Sequence, residues 1–335
     1  MTALRRTSQR SWAWAGLLLL AAACADEGRG ERAGGGHAGG YAGMGAGADG
    51  GWTLTPGGDL NGFFDCLEAE GVTLVSAHRG GPSPGYPENA LETMAAMLAR
   101  APVIMEADVA ASADGVHYLM HDATLERTTD GMGAVDALSW DEISALRLKD
   151  NDGALTRFSP TRFDDALAWA KTRTILQIDF KPSADFEAIA MEIRRQGAEH
   201  RVILIAYSIP AAQKLHRLLP DAMISLGLSS QSEINRAVAK GLPADRLLGF
   251  TGTEAPRPRL FSILNDRGVE VIFGTLGRES SIDTEIARSG EEARYASIAA
   301  QGVDIIASDR PAEAHAALVA ANRAPRIGIC GVDRG

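Results

Sequence analysis

The chain has 335 residues, 45% of them hydrophobic and 23% charged, which fits a soluble globular protein and excludes a disordered, collagenous or multispan membrane chain. Its formal charge of −10, with no long run of Lys or Arg, lacks the basic footprint of a nucleic-acid binder, so no such partner is expected. Three cysteines, Cys24, Cys66 and Cys330, are too few for a disulfide scaffold or a cysteine zinc site.

In chain order, the first 23 residues read as an export signal. Arg5, Arg6 and Arg10 give a basic start, and Trp12–Ala23 is an apolar stretch too short to span a bilayer well. Ala21-Ala22-Ala23 directly before Cys24 resembles a bacterial lipobox, apart from Ala21, where leucine is preferred. Lipidation of Cys24 is the expectation, with plain secretion as the alternative, and an exported lipoprotein of the bacterial cell envelope follows. Losing residues 1–23 removes three positive charges and takes the chain from −10 to about −13. Attraction to anionic lipid is then weak, and membrane attachment is expected only through the lipid. Residues 24–58 are glycine-rich and read as a flexible tether; His37 within it reads as solvated.

The globular domain is expected over 59–335. A helix is predicted over Asn61–Glu70. Nine short apolar runs follow: Val72–Ala77, Val103–Val109, Val116–Met120, Ile175–Phe180, Val202–Tyr207, Met223–Leu228, Leu247–Phe250, Val269–Phe273 and Val303–Ala307. Helical patterns at Ala90–Arg100, Phe163–Lys171, Phe186–Gln196, Ala211–Leu219, Gln231–Lys240 and Glu292–Ala300 separate most of them, which implies βαβ units and a parallel sheet. The third run follows the second after only Ala110–Gly115, a link that holds the turn signal Asp114-Gly115. A parallel crossover needs a dozen or more residues, so this run must turn back antiparallel. Eight strands remain, and the economical fold is an α/β (β/α)8 TIM barrel over about residues 70–320. An open doubly wound sheet is the alternative, but no Gly-rich nucleotide loop follows the first strand.

In such a barrel the chemistry sits at the C-terminal ends of the strands. There the sequence places His78-Arg79-Gly80, Glu106-Ala107-Asp108, His121-Asp122 and Asp179-Phe180-Lys181. Residues i and i+2 of a strand share a face, so Glu106 points with Asp108, and Asp179 with Lys181. Three carboxylates make an all-oxygen site suited to Mg²⁺, Ca²⁺ or Mn²⁺. Arg79 and Lys181 add donors for a phosphoryl group, and His78 and His121 can move protons near neutral pH.

These blocks, with Pro87-Glu88-Asn89, Leu125-Glu126-Arg127-Thr128-Thr129 and Gly302-Val303-Asp304 leading to Asp309-Arg310-Pro311, resemble the glycerophosphodiester phosphodiesterases in order and spacing from Val72 to Pro311. The resemblance implies a TIM barrel with a short insertion after the second strand, here about Ala110–Pro160. It implies one divalent cation and hydrolysis of a small glycerophosphodiester to sn-glycerol 3-phosphate and an alcohol. By position it makes His78 and His121 catalytic, and Glu106, Asp108 and Asp179 metal ligands. Arg79 and Lys181 become phosphate contacts, and Glu88 and Asn89 polar residues of the mouth. Three positions depart from the pattern: Asp179 stands for a longer glutamate, Ala90 for threonine, and Phe273-Gly274-Thr275-Leu276-Gly277 for a tryptophan-containing block.

Structural roles compete with each of these. The two histidines could be buried packing groups, Glu106 and Asp108 a surface pair, and Asp179 and Lys181 a plain salt bridge. His117 reads as exposed; His200, His216 and His315 read as solvated; Trp140 and Trp169 read as packing residues. In an oxidising compartment Cys66 and Cys330 are the thiols left once Cys24 is lipidated, and barrel termini can lie close at the N-terminal face, so a Cys66–Cys330 disulfide is a candidate, with two free thiols as the alternative. Competing functions are a related phosphodiesterase or phospholipase and a catalytically silent binding lipoprotein.

Overall fold

The computed structural model describes residues 50–277 and 279–335. The expected signal segment, Cys24, His37 and the expected tether up to residue 49 lie outside the described residues. The strands are, in chain order, β1 (Trp52–Leu54), β2 (Leu74–Ala77), β3 (Val103–Ala111), β4 (His117–Leu119), β5 (Leu176–Phe180), β6 (Val202–Ala206), β7 (Met223–Gly227), β8 (Leu247–Phe250), β9 (Glu270–Gly274), β10 (Ile305–Ser308) and β11 (Val332–Arg334). Eight of them, β2, β3 and β5 to β10, pair in parallel, and β2 pairs with both β3 and β10. The sheet therefore closes into a barrel.

Side-chain alternation sorts the barrel into two layers. In β7, Met223 faces the interior and Ile224 the surrounding helices. Inward-facing Leu74, Ile104, Ile175, Ile203, Met223, Leu248, Ile272 and Ile305 fill the lower interior. The helix Leu60–Ala69 plugs that end with Leu60, Phe63, Phe64 and Leu67. With its base filled by these side chains, the barrel holds a cavity toward the C-terminal ends of its strands. Several outer helices start on side-chain caps: Asp185 accepts from the amides of Glu187 and Ala188, and Ser208 from that of Ala211.

β4 runs antiparallel to the end of β3, with Val109 opposite Leu119. It opens the insertion above the barrel, whose own small core is Ala110, Tyr118, Met120, Leu125, Val135 and Ile143. Trp140 packs on Tyr118 there, and Trp169 is buried against the barrel.

Two expectations need correction, and three helices are added. The tether does not extend to residue 58: Trp52–Leu54 is a strand paired antiparallel with Val332–Arg334, and Leu54 is fully buried. Three β-prone residues sufficed because the C-terminal tail supplies a partner edge. His315 is not solvated; it is buried beneath the Trp52 ring, and burial pushes its imidazole down to about 4. Helices at Pro258–Asn265, Ile282–Ser289 and Pro311–Ala320 were not isolated from the sequence. The last is alanine-rich on every side, which blurs the helical period. Cys66 and Cys330 are joined by a disulfide that ties the plugging helix to the C-terminal tail.

Candidate active site

Strand β2 ends in a tight turn, His78–Gly80. Arg79 takes a left-handed conformation, φ 52°, which is strained for a residue with a Cβ. The strain aims the Arg79 amide at Glu106, whose Oε2 accepts it at 2.7 Å. Gly80 follows at φ 81°, and a Cβ there would stand 2.8 Å from the Met94 side chain, so only glycine fits.

Glu106 and Asp108 share the inner face of β3, and the β3–β5 register sets Asp108 opposite Asp179. Ligand oxygens of the three carboxylates lie within 4.8 Å of one another, and all three residues are buried. Burial, and then the neighbouring Asp108, push the Glu106 carboxyl up to about 8. Burial would raise Asp108 too, but the Lys181 ammonium and the Asn89 amide outweigh it and hold the carboxyl low. Lys181 Nζ reaches Asp108 Oδ1 and Asp179 Oδ2 at 2.7 Å each. Tyr207 donates its hydroxyl to Asp179 Oδ2 at 3.0 Å. Asp179 Oδ1 is buried and has no hydrogen-bond partner. The Lys181 ammonium and the Arg79 guanidinium, whose Nε lies 3.9 Å from Asp108 Oδ2, leave the three buried carboxylates short of positive charge, and a buried carboxylate oxygen without a hydrogen bond suits a hard cation. The donor set therefore fits a divalent metal.

Each of the two histidines is backed by a carboxylate. His78 Nδ1 lies 2.6 Å from Asp309 Oδ1. Asp309 is held in turn by the amide of Gly277 on its Oδ2, and its own amide donates to the buried Asp283. Burial would lower the His78 imidazole, but the Asp309 hydrogen bond and the charge of Glu106 carry it above its ordinary value. His121, delivered by the insertion, sets Nδ1 2.7 Å from Asp122 Oδ1. A carboxylate on Nδ1 leaves Nε2 as the working nitrogen in both rings.

A cavity of about 350 Å³ joins these groups. One wall is polar and comes from β2, β3 and β5 and their ends: Ser76, His78, Glu106, Asp108, Gln177, Asp179 and Lys181. The opposite wall is apolar, formed by Ile205, Phe250, Ile272, Leu276 and Ala307. His121 and Tyr207 also line the cavity.

Of the residues singled out in the sequence, His78, His121, Glu106, Asp108, Asp179 and Lys181 line this one cavity. Arg79, Glu88 and Asn89 stand behind it instead. Arg79 Nη1 donates to both oxygens of Glu88, at 3.1 and 3.0 Å. Asn89, also left-handed at φ 58°, donates to Asp108 Oδ2 and accepts from the Asp108 amide. His117 accepts from the Asp185 amide and lies outside the cavity lining. Sequence reasoning missed Tyr207 and the role of Asp309. Asp309 sat in a motif already noted, whereas Tyr207 was legible only as the second residue after Ile205 on an inward face.

The comparisons with known proteins agree with this geometry. A model of the Glycerophosphoryl diester phosphodiesterase family matches residues 78–313. A glycerophosphoryl diester phosphodiesterase structure from Parabacteroides distasonis is 30% identical with a TM-score of 0.74, covering 81% of this chain and 95% of that one. A phosphodiesterase from Oleispira antarctica, solved with its product sn-glycerol-3-phosphate, shares the fold at 20% identity and a TM-score of 0.56, over 74% of this chain and 97% of its own. Glycerophosphodiester phosphodiesterase 1 of Mus musculus is 31% identical over 120 residues, 35% of this chain and 36% of its own length. The alignment thus spans about a third of that curated relative. With its match over most of the barrel, the chain belongs to the glycerophosphoryl diester phosphodiesterase family.

Proposed function

We propose that this protein is a metal-dependent hydrolase that cleaves glycerophosphodiesters to sn-glycerol 3-phosphate and an alcohol. The observation that carries the reading is the union, in one cavity, of two carboxylate-backed histidines and a buried three-carboxylate cluster. Glu106, Asp108 and Asp179 would hold the ion, Mg²⁺, Ca²⁺ or Mn²⁺, which supplies positive charge to the phosphoryl oxygens when bound. Lys181, on the same wall, adds a second cationic group for the phosphoryl oxygens.

Diester hydrolysis needs a base at the nucleophile and an acid at the departing alkoxide. His78, next to the carboxylate cluster, takes the proton from the nucleophile, either water or a hydroxyl of the substrate. His121 enters from the insertion above the barrel and protonates the leaving alcohol. Each histidine-to-alanine change is expected to lower kcat by about 10²–10⁴-fold. A nitrophenol leaving group departs without a proton and rescues His121→Ala but not His78→Ala. Rescue of His78→Ala alone exchanges the two roles, and wild-type rates in both variants refute the site.

The apolar wall of Ile205, Phe250 and Leu276 favours a second reading, in which the diester carries a less polar alcohol, as in a lysophospholipid. For location we propose an exported lipoprotein anchored through Cys24. The Cys66–Cys330 disulfide supports an oxidising compartment. Among the described residues no helix is long and apolar enough to cross a membrane.

A further inference from the structure

The insertion brings His121, and the barrel brings everything else in the site, so something must fix one against the other. Arg127 lies between them. Its Nε and Nη2 donate to Asp122 Oδ2 and Oδ1 at 2.5 and 2.8 Å. Its Nη1 and Nη2 donate to Glu88 Oε2 and Oε1 at 2.9 and 2.8 Å. One planar guanidinium therefore grips two carboxylates, each with two hydrogen bonds. The first carboxylate holds the His121 ring. The second, Glu88, is 4% exposed, is shared with Arg79, and precedes Asn89, which pins the cluster carboxylate Asp108.

We infer that Arg127 is a positioning residue, a yoke that fixes the His121–Asp122 pair to the barrel so that His121 keeps Nδ1 on Asp122 and Nε2 free in the cavity. An exposed ion pair fixes little. Two features set this one apart. Glu88 is buried, and both pairs use the guanidinium fork, which constrains direction as well as distance. Lysine keeps the charge of arginine but cannot grip both carboxylates in this way. Among the described residues, the hydrogen bonds to the Asp122 side chain come from Arg127 and from the ring that Asp122 orients. Arg127 and His121 together hold its carboxyl far below the usual range, which makes it an acceptor and puts the proton of the neutral ring on Nδ1.

The inference has a test that needs no turnover. In ¹⁵N-histidine-labelled wild-type protein, the neutral His121 ring is expected as a single Nδ1–H tautomer. Arg127→Gln and Arg127→Lys should both show the mixed tautomers of a solvated histidine, with the melting temperature and far-UV spectrum of the fold kept. A wild-type ring spectrum in both variants overturns the inference.

A kinetic arm rests on the phosphodiesterase reading. Arg127→Lys is expected to lose about 10–100-fold in kcat with little change in KM. In a His121→Ala background the same substitution should cost less than about twofold, because its target is gone. Equal losses in the two backgrounds overturn the inference. Failure of the phosphodiesterase reading shows differently, as absent turnover in the wild type, and the ring spectrum then decides the role of Arg127 by itself.

Discussion

Asp108 and Asp179 face each other in the parallel register of adjacent strands, and the Lys181 ammonium bridges them at 2.7 Å from each. With Glu106 one alternation earlier on the same strand, three buried carboxylates meet two fixed positive charges, Lys181 and, 3.9 Å from Asp108 Oδ2, Arg79. That imbalance is unfavourable in a dry interior, and a divalent cation removes it.

Divalent-ion binding should therefore depend on the orphaned oxygen of Asp179. Titration calorimetry with Mg²⁺, Mn²⁺ and Ca²⁺ is expected to show one site in the wild type and at least tenfold weaker binding in Asp179→Asn. Asp179→Glu keeps the carboxylate and is expected to bind and turn over. Equal affinity in the wild type and Asp179→Asn would place the ion elsewhere.

Tyr207 is mostly exposed, yet its hydroxyl is the one neutral donor on Asp179 Oδ2 among the hydrogen bonds of the described residues. Tyr207→Phe keeps the ring and deletes the bond. A hydrogen bond of about 0.5–1.5 kcal/mol corresponds to roughly 3–10-fold in metal affinity or kcat. An unchanged value for both would make the contact incidental.

How much of this was readable beforehand follows from the distance over which each residue acts. The carboxylates, histidines and Lys181 sit on strands or strand ends, where a period of two and the barrel rule fix their direction. The partners that orient them come from far along the chain: Asp309 reaches His78 across 231 positions. No local pattern encodes such a pairing. Glu88 and Asn89 stood out by their motif, but it could not tell that they face other protein groups rather than a ligand. The hairpin was legible because six linking residues cannot make a parallel crossover. The strand Trp52–Leu54 was hidden because its partner, Val332–Arg334, lies at the opposite end of the chain.

Glu270 carries a pH prediction away from the cavity. Its side chain is buried at the start of β9, and burial, followed by the charges of Asp304, Asp65 and Glu68, pushes it up to about 9. Asp304 is raised to about 7, chiefly by burial. An unfolded glutamate loses its proton near about 4.3. The folded state thus holds more protons than the unfolded state between about pH 4.5 and 9. Stability from these groups is full below that window and falls as pH rises through it. Glu270→Gln, a mimic of the neutral acid, is expected to stabilise the protein at pH 8 and to leave its stability unchanged near pH 4. Thermal melts at the two pH values check this, and equal shifts at both would contradict it.

The Cys66–Cys330 disulfide closes a loop of 264 positions and fastens the helix that plugs the barrel base. Cys330→Ser should lower stability by roughly 2–5 kcal/mol. The active-site groups lie at the other end of the barrel, so kcat at 25 °C should be unchanged. Urea unfolding of the variant and the wild type measures the first, and a wild-type midpoint with an unchanged slope would contradict it.

The most direct test is ³¹P NMR of purified protein incubated with glycerophosphocholine, glycerophosphoethanolamine and a lysophospholipid, with divalent ion and with excess chelator. The expected result is conversion of a diester resonance to that of a phosphate monoester, sn-glycerol 3-phosphate for the deacylated diesters, in the metal-replete sample only, and its loss in His78→Ala and His121→Ala. Hydrolysis that persists in chelator, or in both histidine variants, would contradict a metal-dependent site built on these residues.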